Sequence, residues 1–207
     1  MGTRSANLGS ISAILRRFIG SLGYLPDREK TLQMLLQKPD LPANHEWRLV
    51  YESSHRTGAG AVHNSDALRR ARKAKGVGAD RRFQIADRSL SIMSSVSTFA
   101  SEEDAKSRLP SLTSNFVRKP LTTFSVVHAQ TLSDHEISAL PEPLVYEESF
   151  TGPNGPGTMR FVAGTVDRIL LVLWCSATGQ MWDWSDVNTL VAKQVDRIKL
   201  VLNQYCR

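Results

Sequence analysis

The sequence predicts a single α+β domain: an antiparallel sheet covered by helices, with a long C-terminal helix as the principal cover. Three observations carry that expectation. Val187, Leu190, Val191, Val195, Ile198 and Leu202 recur at helical spacing and set one apolar stripe along residues 186–204. Residues 158–163 and 168–176 are β-rich runs joined by Gly164-Thr-Val-Asp167, the pattern of a hairpin. A chain of 207 residues, 41% of them hydrophobic, suits one domain with a sizeable core.

Taken in order, Ile11, Ile14, Leu15, Phe18, Ile19 and Leu22 form an amphipathic helical segment within residues 1–26, ending near Gly20 to Gly23. Its polar face carries arginine and no acid, so it docks on the domain or a second copy, lies on a membrane surface, or frays. The domain proper is expected over residues 27–207. Asp27 can cap a helix over 28–37 with Leu32, Leu35 and Leu36 as its buried stripe. Pro39 and Pro42 enforce an extended entry into a strand at 47–51. Residues 82–99 alternate loosely, as two short strands or one bent strand. Ser101 and Asp104 resemble a capping box opening a helix through Ala105 and Leu109, which Pro110 ends or kinks. A strand is expected at 121–132 and irregular chain at 138–148, where Pro141 and Pro143 fall. Residues 152–157, Gly-Pro-Asn-Gly-Pro-Gly, are the strongest turn signal. Asp183 is placed to cap the last helix, with Trp182 stapling onto Val187.

Charge is concentrated rather than spread. The formal net charge is +6, and residues 66–82 alone hold seven cations (Arg69, Arg70, Arg72, Lys73, Lys75, Arg81, Arg82) against Asp66 and Asp80. With the loop around Gly58 and Gly60 this makes a basic excursion over about 55–82, expected to be mobile. It has two readings. The seven cations can contact nucleic acid or another anion, or they are only solvated. No aromatic is interleaved to stack bases, and the cations spread around a helix instead of lining one face. Gly58-Ala-Gly60 lacks the third glycine of a dinucleotide cradle, since His63 stands there, and no phosphate-loop pattern exists. The excess of arginine, 18 against 8 lysines, fits bidentate anion contacts or GC-rich coding bias.

The search for chemistry returns little. Cys175 sits in an apolar run and Cys206 is penultimate, so both are expected as thiols, with no disulfide framework and no metal spacing. The histidines are scattered: His45, His55 and His63 in loops, His128 in a strand, His135 between Asp134 and Glu136. No nucleophile elbow and no paired-histidine zinc motif occurs. Asp134-His135-Glu136 reads as a solvated helix start. Trp174, Trp182 and Trp184 read as core anchors. No cofactor is expected. The longest apolar run, seven residues from 169 to 175, is far below the roughly 20 that span a bilayer. The N-terminal apolar residues are interrupted by Arg16 and Arg17.

The order of the second half resembles a known family. Phe99-Ala-Ser-Glu-Glu-Asp-Ala105 leads a helix, a Gly/Pro-rich break follows, then residues 160–177, then a Trp-capped helix containing Ala192-Lys-Gln-Val-Asp-Arg-Ile198. Together with Leu35-Leu-Gln-Lys-Pro-Asp-Leu-Pro42, this resembles the actinobacterial sensor-like domains, which form the extracellular part of some membrane serine/threonine kinases and of related lipoproteins. The resemblance spans roughly residues 30–204. It implies a twisted antiparallel sheet with helices against it and a groove that binds a ligand or partner. The chain departs from the family in lacking a membrane anchor, a lipidated cysteine and paired cysteines. Those departures point to a cytoplasmic or membrane-peripheral location. The function expected is a non-enzymatic binding module for a small amphipathic ligand or a protein partner. The alternatives are a nucleic-acid-associated protein using residues 66–82 and an enzyme without a recognisable motif.

Overall fold

In the computed structural model, the described residues are 28–56, 76–110, 112, 125–132, 137–152 and 155–205, with 56, 125–131 and 205 described by their backbone. Seven strands form one antiparallel sheet: β1 Arg48–Arg56, β2 Val77–Gln84, β3 Leu90–Thr98, β4 Ser125–Thr131, β5 Leu144–Gly152, β6 Gly155–Val166 and β7 Ile169–Thr178. Their order is β1-β2-β3-β7-β6-β5-β4, so β1 and β4 are the edges. Three helices lie wholly within the described residues, α1 Arg28–Gln33, α2 Glu102–Lys106 and α3 Trp184–Tyr205, with a 3-10 turn at Lys38–Asp40. The α+β class, the antiparallel sheet and the long C-terminal helix all stand as the sequence predicts.

The strand β7 shows why the sheet is buried on both faces. Its odd-numbered residues Ile169, Leu171, Leu173, Cys175 and Ala177 join the larger core with Val187, Leu190, Val191, Val195 and Ile198 of α3. Its even-numbered residues Leu170, Val172 and Trp174 join a second core with Phe99, Ala105, Tyr146 and Phe161, beneath α2. A strand covered twice reads as a continuous apolar run rather than an alternating one. The α3 helix begins where Asp183 Oδ1 accepts the Ser185 amide at 3.1 Å. Ser101 Oγ accepts the Asp104 amide at 3.0 Å at the start of α2. Both caps follow the sequence reading.

Several boundaries differ from expectation, each for a physical reason. α1 stops at Gln33, not Gln37. Met34, Leu35 and Leu36 are all fully buried, and three consecutive buried residues cannot share one helical stripe. The basic excursion was expected over 55–82, but His55 and Arg56 end β1, and β2 opens at Val77. Residues 82–99 span a β2–β3 hairpin whose first strand begins earlier, at Val77. The irregular chain expected up to 148 gives way at Leu144 to β5, whose Val145, Tyr146 and Glu148 are buried on alternate faces. Gly164 lies inside β6, not in a turn: an added Cβ would sit 2.7 Å from Leu140 Cδ1, so the glycine makes room for that leucine. The β6–β7 turn is instead residues 167–168, with Asp167 at φ 54°. The N-terminal segment 1–26, the loop at Gly58 and Gly60, residues 121–124, Asp134-His135-Glu136 and Cys206 lie outside the described residues.

Because Leu190 is 1% exposed between α3 and the sheet, Leu190→Ala should lose about 2–5 kcal/mol in urea unfolding. A loss below about 0.5 kcal/mol, the scale of a surface change, would show that the stripe is not core.

Candidate functional site

A groove opens at the β1 edge of the sheet, on the side of α1. The segment after α1 forms one wall. Here Leu36 donates its amide to Ser94 Oγ at 3.1 Å, and its carbonyl accepts from Arg81 Nη1 at 3.0 Å. The chain then turns through Lys38–Asp40. Asp40 Oδ2 accepts the Gln37 amide at 2.6 Å, and its carboxylate also takes both arms of Arg197, with Nη2 to Oδ1 at 3.0 Å. Lys193 Nζ adds a bond to the Asp40 carbonyl at 2.6 Å. The turn is closed by its own bonds, Asp40 amide to the Gln37 carbonyl and Leu41 amide to the Lys38 carbonyl, and helix α3 anchors it to the rest of the domain. Bidentate Arg–carboxylate geometry makes this a directional clamp.

The floor is aromatic. Trp47 is buried, donates Nε1 to the Pro42 carbonyl at 2.9 Å, and stacks on Trp182 with ring centroids 5.9 Å apart. Phe83 of β2 lies opposite Leu49 of β1 in the ladder. The groove has a volume of about 340 Å³ and is lined by Gln37, Lys38, Trp47, Arg48, Leu49, Glu52, Arg81 and Phe83. Leu49 forms its outer lip, and along this edge strand Leu49, Val50 and Tyr51 are 53%, 50% and 50% exposed. The register skips Val50 between Leu49 and Tyr51, a bulge in the edge strand.

The seven cations singled out by sequence do not assemble into one described site. Arg69, Arg70, Arg72, Lys73 and Lys75 lie outside the described residues. Arg81 and Arg82 are neighbours on β2 and so point to opposite faces. Arg81 lines the groove, where Nε meets Glu52 Oε2 at 2.7 Å and Nη2 pairs with the same oxygen. Arg82 donates Nε to Ser91 Oγ at 2.9 Å on the other face. Sequence reasoning did not find the groove, because its lining joins residues 37–52 to 81–83 across the β1–β2 ladder. The only local signal was the Trp47-Arg-Leu-Val-Tyr51 run itself, read as a strand without its exposure.

On the opposite face His55, Asp80 and Ser95 come together. Ser95 Oγ donates to Asp80 Oδ1 at 2.5 Å, and His55 Nδ1 is 3.4 Å from Asp80 Oδ2. In a nucleophilic triad the histidine stands between serine and acid, to take the serine proton. Here the carboxylate stands in the middle and holds the hydroxyl as a donor, an arrangement that orders strands rather than activating oxygen. Burial pushes the Cys175 thiol up, which keeps it protonated and inert. Among the described residues no group of three or more His, Cys, Asp and Glu side chains could hold a metal ion, and no helix is long and apolar enough to cross a membrane. Trp182 is buried, and Trp174 and Trp184 are half-buried. Arg160 lies over the Trp184 ring at 4.6 Å, binds Glu147 at 2.8 Å and donates to the Trp182 carbonyl, so it ties the start of α3 to the sheet.

Among the described residues Glu148 is the one buried acid on the second face, 6% exposed, with Tyr146 donating its hydroxyl at 3.0 Å. Burial raises the Glu148 pKa, and burial together with that carboxylate pushes Tyr146 up to about 12. A carboxyl raised in the folded state is bound to its proton more tightly there than in the unfolded chain. Stability therefore falls as pH rises through the window above the ordinary glutamate value of 4.5, and the loss persists at neutral pH. Glu148→Gln keeps an acceptor for Tyr146 and removes the charge. Its thermal midpoint should exceed wild type at pH 7 and converge with it near pH 4; an equal offset at both values would contradict the assignment.

No protein-family model and no curated protein matches the chain. Solved structures do. The extracellular domain of PknH from Mycobacterium tuberculosis superposes with a TM-score of 0.56 at 9% identity, over 87% of this chain and 98% of that one. An uncharacterised protein of Mycobacterium smegmatis, the Rv0999 ortholog, gives 0.47 at 8% identity over 84% and 97%. The sensor-like resemblance carried by the Leu35–Pro42 and C-terminal patterns is thus met at the level of fold: the chain is similar in architecture to the extracellular domain of an actinobacterial kinase.

Proposed function

We propose that the protein is a non-enzymatic binding module, cytoplasmic or membrane-peripheral, whose ligand seat is the groove between β1 and the Lys38–Asp40 turn. One observation carries the reading. A concavity of about 340 Å³ combines an aromatic floor, a few polar groups and a wall fixed by the Asp40–Arg197 clamp. Small-molecule sites have that make-up: largely preformed, mostly apolar, with a small number of placed polar groups. The likeness to a kinase's extracellular domain supports a binding role over a catalytic one, as does the His55–Asp80–Ser95 order. A small amphipathic ligand suits the lining, which is apolar at Trp47 and Phe83 and charged at the rim.

A protein partner is the second reading, and a separate observation favours it. The outer edge of β1 meets no strand among the described residues, and three consecutive apolar side chains stand exposed along it. Such an edge can accept an extended peptide as an added strand. The nucleic-acid alternative rests on residues 66–82, of which Arg81 is already engaged by Glu52. It requires affinity that falls by about three decades between 50 and 200 mM salt if six phosphates are contacted.

Ligand-observed NMR with a set of small amphipathic compounds tests the first reading. Wild type should bind members of the set, and Leu49→Asp, at an exposed position, should abolish binding without lowering the melting temperature. Binding that survives Leu49→Asp, or no binding at millimolar concentration, would overturn the groove as the seat.

A further inference from the structure

The charge pattern of the groove specifies its ligand more narrowly. Three cations line it, Lys38, Arg48 and Arg81, against one carboxylate, Glu52. Arg81 and Glu52 cancel: their contact of 2.7 Å is supported by Arg81 Nη1 on the Leu36 carbonyl, and the two side chains are 13% and 35% exposed. Arg48 is different. Its nearest acid, Glu46, is 3.6 Å away, and the pair is 61% and 74% exposed, the geometry of an ion pair that contributes almost nothing. Lys38 has no ion pair among the described residues, although the turn that carries it is held at Asp40 by Lys193 and Arg197 of α3. Two cations thus stand at the rim of an apolar trough with their charge not neutralised. A fork donor and a point charge together match a planar carboxylate.

The apolar part is equally defined. Trp47 and Phe83 are 2% and 3% exposed and form a floor that Trp182 backs. Leu49 forms the outer lip, more than half exposed, so an alkyl chain lying against it removes apolar area from water on both partners. The volume, about 340 Å³, sits at the low end of the range for ligand pockets. A single short alkyl chain matches that size.

We propose that the groove binds a small single-tailed amphipathic anion, a medium-chain carboxylate. Its head lies at Lys38 and Arg48, and its tail runs over Trp47, Phe83 and Leu49. The inference rests on the groove being the binding seat, and the experiment separates the two. The full-length protein is titrated calorimetrically with hexanoate, octanoate and decanoate below their micellar concentrations, and with decyltrimethylammonium as the cationic counterpart. Decanoate should bind one to one, each added methylene should tighten binding by up to about fourfold, and decyltrimethylammonium should not displace it. The double reversal Lys38→Glu with Arg48→Glu should weaken decanoate at least about tenfold, one factor of ten being about 1.4 kcal/mol. Its melting temperature should hold, because both side chains sit at the rim. Lys38→Arg should retain binding. If decanoate and decyltrimethylammonium bind alike and the reversal changes neither, the anion assignment is wrong while the groove survives as a seat. If neither amphiphile binds at millimolar concentration, both readings fall.

Discussion

The groove wall depends on a single carboxylate. Asp40 accepts the Gln37 amide and both arms of Arg197, and so closes the 3-10 turn on itself while fastening it to α3. The turn carries local bonds of its own, Asp40 amide to the Gln37 carbonyl at 2.9 Å and Leu41 amide to the Lys38 carbonyl at 3.2 Å, and the Arg197 connection is what fastens it to α3. With it, Leu36 and Leu41 are drawn into the core and Lys38 is held at the rim. The clamp is partly buried, and its two charges share several hydrogen bonds, which is the condition under which an ion pair contributes to a fixed geometry. Arg81 continues the same network to the edge strand: one guanidinium ties the Leu36 carbonyl to Glu52 of β1. Wall, floor and edge are therefore coupled.

The sheet supplies the rigidity behind that network. A strand buried on both faces, as β7 is, leaves no solvent side to slip toward, and register is strongly fixed wherever a face is buried. Polar residues within this core are placed to tie elements together. Arg160 joins β6 to the β7–α3 connection, and Gln194, fully buried on α3, donates to the Ser95 carbonyl at 3.2 Å. The Gln194 Oε1 atom has no hydrogen-bond partner among the described residues, a cost of order 1–3 kcal/mol that the surrounding packing offsets.

Much of the fold was legible because it depends on short-range patterns. The α3 stripe, its Asp183 cap and the Ser101 cap are each written within a few residues, and so is the β6–β7 hairpin, apart from the position of its turn. What escaped was set by tertiary partners. Gly164 looked like punctuation, but it is a strand glycine kept small by Leu140. Met34, Leu35 and Leu36 looked helical, yet Met34 and Leu35 close the helix in tight turns onto Thr31 and Leu32, and Leu36 gives its amide to Ser94 and its carbonyl to Arg81. The candidate site was least legible of all. Its lining comes from two stretches separated by 28 intervening residues, 53–80, and the neutrality of Arg81 is visible only once Glu52 lies beside it. Counting cations along the chain drew attention to residues 66–82, whereas the groove's uncompensated charge lies on Lys38 and Arg48.

The central claim is that the wall is built into the native state and is not assembled by a ligand. Amide hydrogen exchange on the free protein tests it most directly, at Leu36, whose amide is held by Ser94, and Gln37, whose amide is held by Asp40. The account predicts that both exchange as slowly as the buried amides of α3, and that Asp40→Ala releases Gln37 while α3 stays protected. Exchange of both amides at the rate of an open loop in the wild-type protein would contradict it.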